Sequence, residues 1–169
     1  MKKNNIVLVG FMGTGKSTVG KKLSSKLGWG FVDTDDWIEK REHLSIPEIF
    51  STKGEVYFRK VEAEVIQEVM ASEHQVIATG GGAVLSLHNR SRMLSQGTVI
   101  QLKADADTII KRVEKDTHRP LLQGNIKDKV YEIMEKRKYA YEFADIILDT
   151  SAGSVDHLVE QIYARIYIK

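Results

Sequence analysis

The residues that most clearly suggest chemistry lie between Gly10 and Thr18, where the sequence reads GFMGTGKST. Its first eight residues match the pattern G-x-x-x-x-G-K-[ST], which lies between an apolar run and a helical pattern. In such a loop the backbone N–H groups surround phosphates, the lysine reaches the β- and γ-phosphates, and the hydroxyl faces Mg²⁺. We predict a nucleoside-triphosphate site with Lys16 as a catalytic residue and Ser17 beside the metal. The predicted nucleotide contacts are Gly13, Thr14, Gly15, Lys16, Ser17 and Thr18. The alternative is a glycine-rich turn without a ligand.

Two aspartates follow in the next short apolar segment, which reads FVDTD. Asp33 and Asp35 are two residues apart, so on a strand they would point to the same side. The carboxyl ends of strands near the first strand–helix loop are where open α/β sheets bind ligands. One carboxylate is suited to holding Mg²⁺ through water, and the other to accepting a hydroxyl proton. Alternatively, the pair caps the next helix.

The segment TGGGAV contains three adjacent glycines, Gly80, Gly81 and Gly82. Such a run lets the backbone approach a ligand closely, at a conformational cost. We therefore predict that it lines an acceptor site. A simple loop is the alternative.

Arg59 lies early on a predicted helix, in the segment FRKVE. An arginine there could bind an anionic acceptor. However, Glu55 and Glu62 lie at i−4 and i+3, so a surface ion pair explains the same residue equally well.

The segment THRPLLQGN, residues 117–125, places Arg119 beside Pro120 in a stretch of mixed polarity. It resembles a loop over an active site more than a buried element. A lid that carries an arginine would shield γ-phosphate transfer from water and stabilise the developing charge. The alternative is a plain connector.

The composition limits the other classes of function. A chain of 169 residues fits a single domain, here 1–169, with the lid at about 114–126. The formal net charge is only +2, which does not favour nucleic acid or an anionic membrane as a partner. The sequence contains no cysteine, which excludes disulfides and thiolate metal sites. We expect a monomeric cytoplasmic protein without a membrane span or a signal peptide.

The elements that must position these residues alternate between strand-like and helix-like patterns. Short apolar runs predict strands at 5–10, 31–35, 75–80, 98–103 and 145–150. Helical periodicity predicts helices at 16–27, 55–70, 105–114, 127–143 and 154–168. This alternation indicates an α/β layer sandwich, a mostly parallel sheet with helices on both faces.

With these motifs in order, the chain resembles shikimate kinase, a small-molecule kinase related to the nucleoside monophosphate kinases. The resemblance runs from Ile6 to about Asp149 and rests on GFMGTGKST, DTD, FRKVE, TGGG and RPLL. It implies a P-loop kinase fold with a lid, in three layers around a five-stranded parallel sheet of order 2-3-1-4-5. It also implies transfer of the ATP γ-phosphate to the 3-hydroxyl of shikimate, on the route to chorismate and the aromatic amino acids, with Mg²⁺ as cofactor and ATP as co-substrate.

The resemblance further implies roles for single residues. Asp33 matches an aspartate near Mg²⁺, and Asp35 matches the one that binds the shikimate hydroxyls and acts as the base. Arg59 matches an arginine on the shikimate carboxylate, and the glycines at 80–82 match those that line the same site.

Three further arginines are assigned in this way. Arg119 matches the lid arginine, which is catalytic and contacts ATP, and Arg112 matches one that packs on adenine. Arg137 is the best candidate for a second arginine on the carboxylate. The sequence departs from the family after it, because RKYAYEFAD replaces the usual Pro-Leu-Tyr spacing and Ala144 and Asp145 come about one residue early.

Two other functions remain open from the sequence. A gluconate kinase would share the P-loop and a strand-end aspartate, although FRKVE together with TGGG disfavours it. A nucleotide-dependent switch is the second, but the sequence lacks the guanine-reading pattern Asn-Lys-x-Asp.

Overall fold

The structure is a computed structural model that describes residues 4–114 and 125–167. Its central strand, β1 (Asn5–Val9), is buried at all five positions. This burial explains why its sequence, NIVLV, shows no alternation of polar and apolar residues. A strand inside a parallel sheet is covered by helices on both faces.

The described residues form one five-stranded sheet of order β2-β3-β1-β4-β5. Every pair of neighbouring strands is parallel. The other strands are β2 (Gly30–Asp33), β3 (Gln75–Ala78), β4 (Gly97–Lys103) and β5 (Ile146–Asp149). The predicted fold class and strand order are thus confirmed, and the carboxyl ends of all five strands meet at one edge of the sheet.

Helices cover both faces of this sheet. Along the described part of the chain they are α1 (Lys16–Leu27), α2 (Thr34–Glu42), α3 (Ile46–Met70), α4 (Leu87–Gln96), α5 (Ala106–Val113), α6 (Ile126–Lys136) and α7 (Val155–Tyr167), with a short 3-10 turn at Ala83–Leu85. Alternate residues of β1 face opposite layers. Val7 and Val9 pack with residues of α2, α3 and α4, and Ile6 and Leu8 pack with residues of α1 and α7. The three-layer arrangement follows from this alternation.

The elements differ from the predictions mainly at β2, at α2 and α4, at α3 and at α6. The strand predicted at 31–35 ends at Asp33, and α2 begins at the next residue. Neither α2 nor α4 was predicted. The helix predicted at 55–70 is the second part of α3, whose two parts meet at Gly54, where the backbone is not helical (φ 83°, ψ 168°). The helix predicted at 127–143 ends at Lys136, and turns occupy residues 137–143.

The predicted lid, about 114–126, falls almost entirely outside the described residues, and so does Arg119. The lid and the single domain over 1–169 therefore stay predictions. No helix in the described part of the chain combines the length and the apolar character needed to cross a membrane.

Candidate active site

The loop between β1 and α1 has the shape expected of a phosphate-binding loop. Gly15, the residue before α1, lies in the left-handed region at φ 91°, which glycine adopts without strain. Nζ of Lys16 donates hydrogen bonds to the carbonyl oxygens of Gly10 and Phe11, both at 2.9 Å. The ammonium group is therefore held over the loop, and the N-terminus of α1 adds its exposed N–H groups to the same place.

A cavity of about 310 Å³ opens in front of this loop. It is lined by Gly13, Gly15, Lys16, Ser17, Thr18, Asp33, Asp35, Thr79, Gly81 and Arg112. Most of the predicted nucleotide and metal residues thus share one cavity. Thr14 instead lies buried within the loop, where its hydroxyl donates to the carbonyl oxygen of Phe11 at 2.8 Å.

Ser17 and Asp33 meet across this cavity. The serine hydroxyl donates a hydrogen bond to Oδ2 of Asp33 at 2.5 Å, while Oδ1 accepts one from the backbone N–H of Asp35 at 3.0 Å. Asp33 therefore caps α2, a role that the alternative interpretation gave to both aspartates, and it also faces the phosphate loop.

These two oxygens suit Mg²⁺, a hard cation that takes oxygen ligands. Among the described residues, no three His, Cys, Asp or Glu side chains form a cluster that could hold a metal ion. Mg²⁺ usually binds to one or two protein oxygens together with water and substrate phosphates.

Asp35 reaches the cavity from the first turn of α2 rather than from a strand. The argument that Asp33 and Asp35 share one side of a strand is therefore wrong, although both side chains line the same cavity. A Cβ atom on Gly80 would lie only 2.8 Å from Oδ1 of Asp35. The carboxylate thus lies directly against the glycine run.

The glycine run makes room for charged side chains. A Cβ atom on Gly82 would come within 2.4 Å of Nη2 of Arg59. One on Gly81 would lie 3.7 Å from Nη1 of Arg137. The run therefore brings the aspartate of α2 and both predicted carboxylate-binding arginines around one short stretch of backbone.

Arg59 forms both of the ion pairs that its sequence position suggested. Its guanidinium lies 3.2 Å from Glu55 and 2.9 Å from Glu62. Its side chain is nevertheless only 25% exposed and stacks near the ring of Phe58, 5.1 Å from the ring centroid. Arg59 thus forms ion pairs with Glu55 and Glu62 and also lies against the glycine run. The ion-pair interpretation and the binding-site interpretation are therefore compatible with each other.

Glu62 is a buried residue of the site that sequence reasoning missed. It is 1% exposed, and a Cβ atom on Gly80 would lie 3.0 Å from its Oε1. Burial raises the pKa of this carboxyl, against the opposing charges of Arg59 and Arg137. The only signal in the sequence was its i+3 spacing from Arg59, which does not reveal burial.

Arg112, the predicted adenine contact, lies beside the phosphate loop. Its guanidinium donates to the carbonyl oxygens of Gly13 at 3.0 Å and Thr150 at 2.8 Å, which fixes it beside the phosphate loop. A second cavity of about 220 Å³ adjoins it. This cavity is lined by Thr14, Gly15, Thr18, Val19, Arg112, Thr150, Gly153, Val155 and Leu158.

The fold and the site together define a P-loop kinase: a phosphate loop before the first helix of a parallel α/β sheet, with an acid and two arginines around the glycine run that follows β3. The model of the shikimate kinase family matches residues 12–167. This chain belongs to the shikimate kinase family.

Individual relatives agree with this assignment. The shikimate kinases of Persephonella marina and Thermodesulfovibrio yellowstonii are 46% and 45% identical to this chain, over 96% and 94% of its length and 98% and 92% of theirs. The solved structure of Acinetobacter baumannii shikimate kinase in complex with shikimate has a TM-score of 0.95. It is 36% identical, and the match covers 99% of this chain and 97% of that one.

Proposed function

We propose that this chain transfers the γ-phosphoryl group of ATP to the 3-hydroxyl of shikimate and releases ADP and shikimate 3-phosphate. The observation that carries the proposal is the meeting of Asp35, Arg59 and Arg137 around the glycine run beside the phosphate loop. A phosphoryl acceptor with one carboxylate and several hydroxyls matches that set of groups. Membership of the family and the shikimate complex of the Acinetobacter relative support it.

The triphosphate would lie in the cavity of about 310 Å³, with the γ-phosphate near Lys16. The adenine base would enter the adjoining cavity of about 220 Å³ and pack on Arg112. Phosphoryl transfer depends on positioning and on neutralising charge more than on covalent chemistry by the protein. Lys16 would supply positive charge to the phosphates, and we assign the same task to Arg119 when a lid closes.

Mg²⁺ would be held by the hydroxyl of Ser17 and, through water, by Asp33. The bound ion neutralises charge on the β- and γ-phosphate oxygens. The two protein oxygens are already adjacent, so the protein needs only a small rearrangement to exchange their mutual hydrogen bond for the ion.

Asp35 would accept a hydrogen bond from the 3-hydroxyl and orient its oxygen toward the γ-phosphorus. As the new O–P bond forms and the bond to the β-phosphate oxygen breaks, the hydroxyl proton passes to Asp35. Arg59 and Arg137 would hold the shikimate carboxylate by paired hydrogen bonds, which fix both position and orientation.

The proposal includes a monomeric cytoplasmic enzyme whose partners are ATP and shikimate, and not nucleic acid or a membrane. All groups assigned above belong to one chain, so the reaction requires no second copy. The formal net charge of +2 offers little attraction to a polyanion.

The experiment is a coupled assay of ADP release with shikimate, gluconate or no acceptor. We expect ADP release that depends on shikimate, and ³¹P NMR should place the product phosphate on the 3-oxygen. Faster ADP release with gluconate than with shikimate would show that the enzyme is a gluconate kinase instead. Release at an equal rate without any acceptor would replace it by a nucleotide hydrolase.

A further inference from the structure

Tyr141 is a buried side chain that none of the roles above uses. It lies in the turns between α6 and β5 and is 6% exposed. Its hydroxyl donates a hydrogen bond of 2.7 Å to the carbonyl oxygen of Gly81. The middle of the glycine run is therefore tied to a segment 60 residues later in the sequence.

The same hydroxyl interacts with Arg137. Arg137 directly follows α6 as its C-cap, and only 7% of it is exposed. Its Nη1 would lie 3.7 Å from a Cβ atom on Gly81, the residue whose carbonyl oxygen the Tyr141 hydroxyl binds. Burial raises the pKa of Tyr141, and the nearby positive charge of Arg137 opposes that effect. A phenol hydroxyl that donates its proton to the Gly81 carbonyl keeps lone pairs that can accept from a guanidinium N–H.

The turns hold Tyr141 firmly in this position. They begin at Arg137, whose carbonyl oxygen accepts from the N–H of Ala140 at 2.9 Å. Two residues after the turns, Asp145 exchanges two hydrogen bonds of 2.9 Å with the backbone of Val99 in β4. Tyr141 lies between these two fixed points, so its hydroxyl meets the glycine run without rearrangement of the chain.

We propose that Tyr141 is a positioning residue for shikimate: its hydroxyl joins Arg137 to Gly81 and holds the guanidinium in the orientation that receives the carboxylate. The inference rests on the proposed role of Arg137. A guanidinium has five donors in a fixed fork, so one can bind the tyrosine while others face the substrate. An arginine held before binding loses less side-chain freedom when the substrate arrives.

The test is Tyr141→Phe, which keeps the buried ring and removes only the hydroxyl. We expect KM for shikimate to rise roughly tenfold, the size expected for a hydrogen bond to a charged group. The KM for ATP should stay the same, and kcat should change by less than about twofold, since Tyr141 does not touch the transferred phosphate. The matched control is Tyr139→Phe, two residues earlier in the same turns and 67% exposed, which should behave as wild type.

A second arm separates a positioning role from a merely structural one. With the methyl ester of shikimate as acceptor, the effect of Tyr141→Phe should nearly vanish, because the carboxylate contact is already lost. An equal loss with acid and ester would overturn the inference. So would a KM for shikimate equal to that of wild type.

Arg137→Lys distinguishes failure of the inference from failure of the proposed site. If it raises KM for shikimate and Tyr141→Phe does not, only the role of Tyr141 is wrong. If Arg137→Lys leaves KM for shikimate unchanged, the carboxylate role of Arg137 is wrong, and the inference falls with it. In the Arg137→Lys background, adding Tyr141→Phe should have much less than its effect in wild type, because both changes disturb the same contact.

Discussion

Arg59 and Glu62 lie one turn apart on α3, and Nη1 of the arginine donates a hydrogen bond of 2.9 Å to Oε2 of the carboxylate. The Glu62 side chain is 1% exposed, whereas 25% of the Arg59 side chain is exposed. The buried carboxylate therefore anchors the arginine from the protein side, and part of the guanidinium remains open toward the candidate acceptor site. Glu55 pairs with Arg59 from the exposed side, at 3.2 Å.

The buried carboxyl of Glu62 should give the stability of the protein a specific dependence on pH. Burial raises its pKa above the ordinary value of 4.5, although Arg59 and Arg137 oppose the shift. The folded protein thus binds this proton more tightly than the unfolded chain does. The contribution of the group to stability is fully present below pH 4.5 and is lost as pH rises through the folded-state pKa.

We therefore expect Glu62→Gln to remove the part of the pH dependence of stability that comes from this carboxyl. The difference in unfolding free energy, wild type minus variant, should fall as pH rises from about 4.5 to neutral. Urea unfolding at several pH values measures it. Glu55→Gln, which removes the exposed partner of the same arginine, should keep the wild-type trend. Parallel pH profiles for wild type and Glu62→Gln would contradict this prediction.

The sequence predicted the parts of the fold that have strong local signals. All five strands were found within two residues at each end, because buried parallel strands form continuous apolar runs. The phosphate loop and the start of α1 follow from a motif whose glycines and lysine have fixed tasks. The two missed helices, α2 and α4, are short and mostly polar, with Thr34 and Ile38 buried in one and Asn89 and Met93 in the other. Too few apolar residues define a periodic face there.

The sequence predicted those site residues that belong to a recognisable motif. It missed residues whose place in the site depends on tertiary burial. Glu62 and Tyr141 look like a surface acid and an ordinary turn residue, and only tertiary packing reveals them. The end of α6 has no glycine or proline to mark it, so the predicted helix ran on through Arg137. The structure nevertheless brings Arg137 to the glycine run despite the altered spacing after it.

Asp33→Asn tests the proposed metal site. Asparagine also caps helices well, so α2 should still begin at Thr34. The lost charge should raise the Mg²⁺ concentration needed for half-maximal activity by about 10- to 100-fold, the usual cost of removing an outer-shell partner. Asp105→Asn, at the equivalent cap of α5, is the control and should leave the Mg²⁺ requirement unchanged. The same Mg²⁺ requirement in Asp33→Asn and wild type would remove Asp33 from the metal site.

Asp35→Asn should keep the shape of the side chain and lose the charge that orients the acceptor hydroxyl. We expect kcat to fall by roughly 10²-fold or more, within the range for positioned acid–base groups. Calorimetry should show nucleotide affinity close to that of wild type. Asp36→Asn, the exposed neighbour on α2, should retain full activity. If Asp35→Asn lost nucleotide binding and kept its turnover, the residue would belong to the nucleotide site instead.

Arg59 offers a test of the charge of the acceptor. In a site partly closed from water, a guanidinium and a carboxylate form two parallel hydrogen bonds. Removing one partner leaves the other charge unpaired, which costs about 2–5 kcal/mol when buried. That corresponds to roughly 30- to several-thousand-fold in kcat/KM. Arg59→Ala in the protein and methyl esterification of shikimate should therefore have similar effects, while Lys60→Ala, the exposed neighbour, should have none.

The two changes to this contact should be far less than additive when they are combined, since each destroys the same interaction. Arg59→Lys should recover only part of the loss, because an ammonium group cannot reproduce the planar fork. It keeps a positive charge beside Glu62, so its stability should exceed that of Arg59→Ala, which leaves a buried carboxylate without its main partner. The measurement is kcat/KM of wild type, Arg59→Ala and Arg59→Lys with shikimate and with its methyl ester, together with urea unfolding of each variant. If wild type phosphorylated the ester as efficiently as the acid, Arg59 would serve only its ion pairs with Glu55 and Glu62.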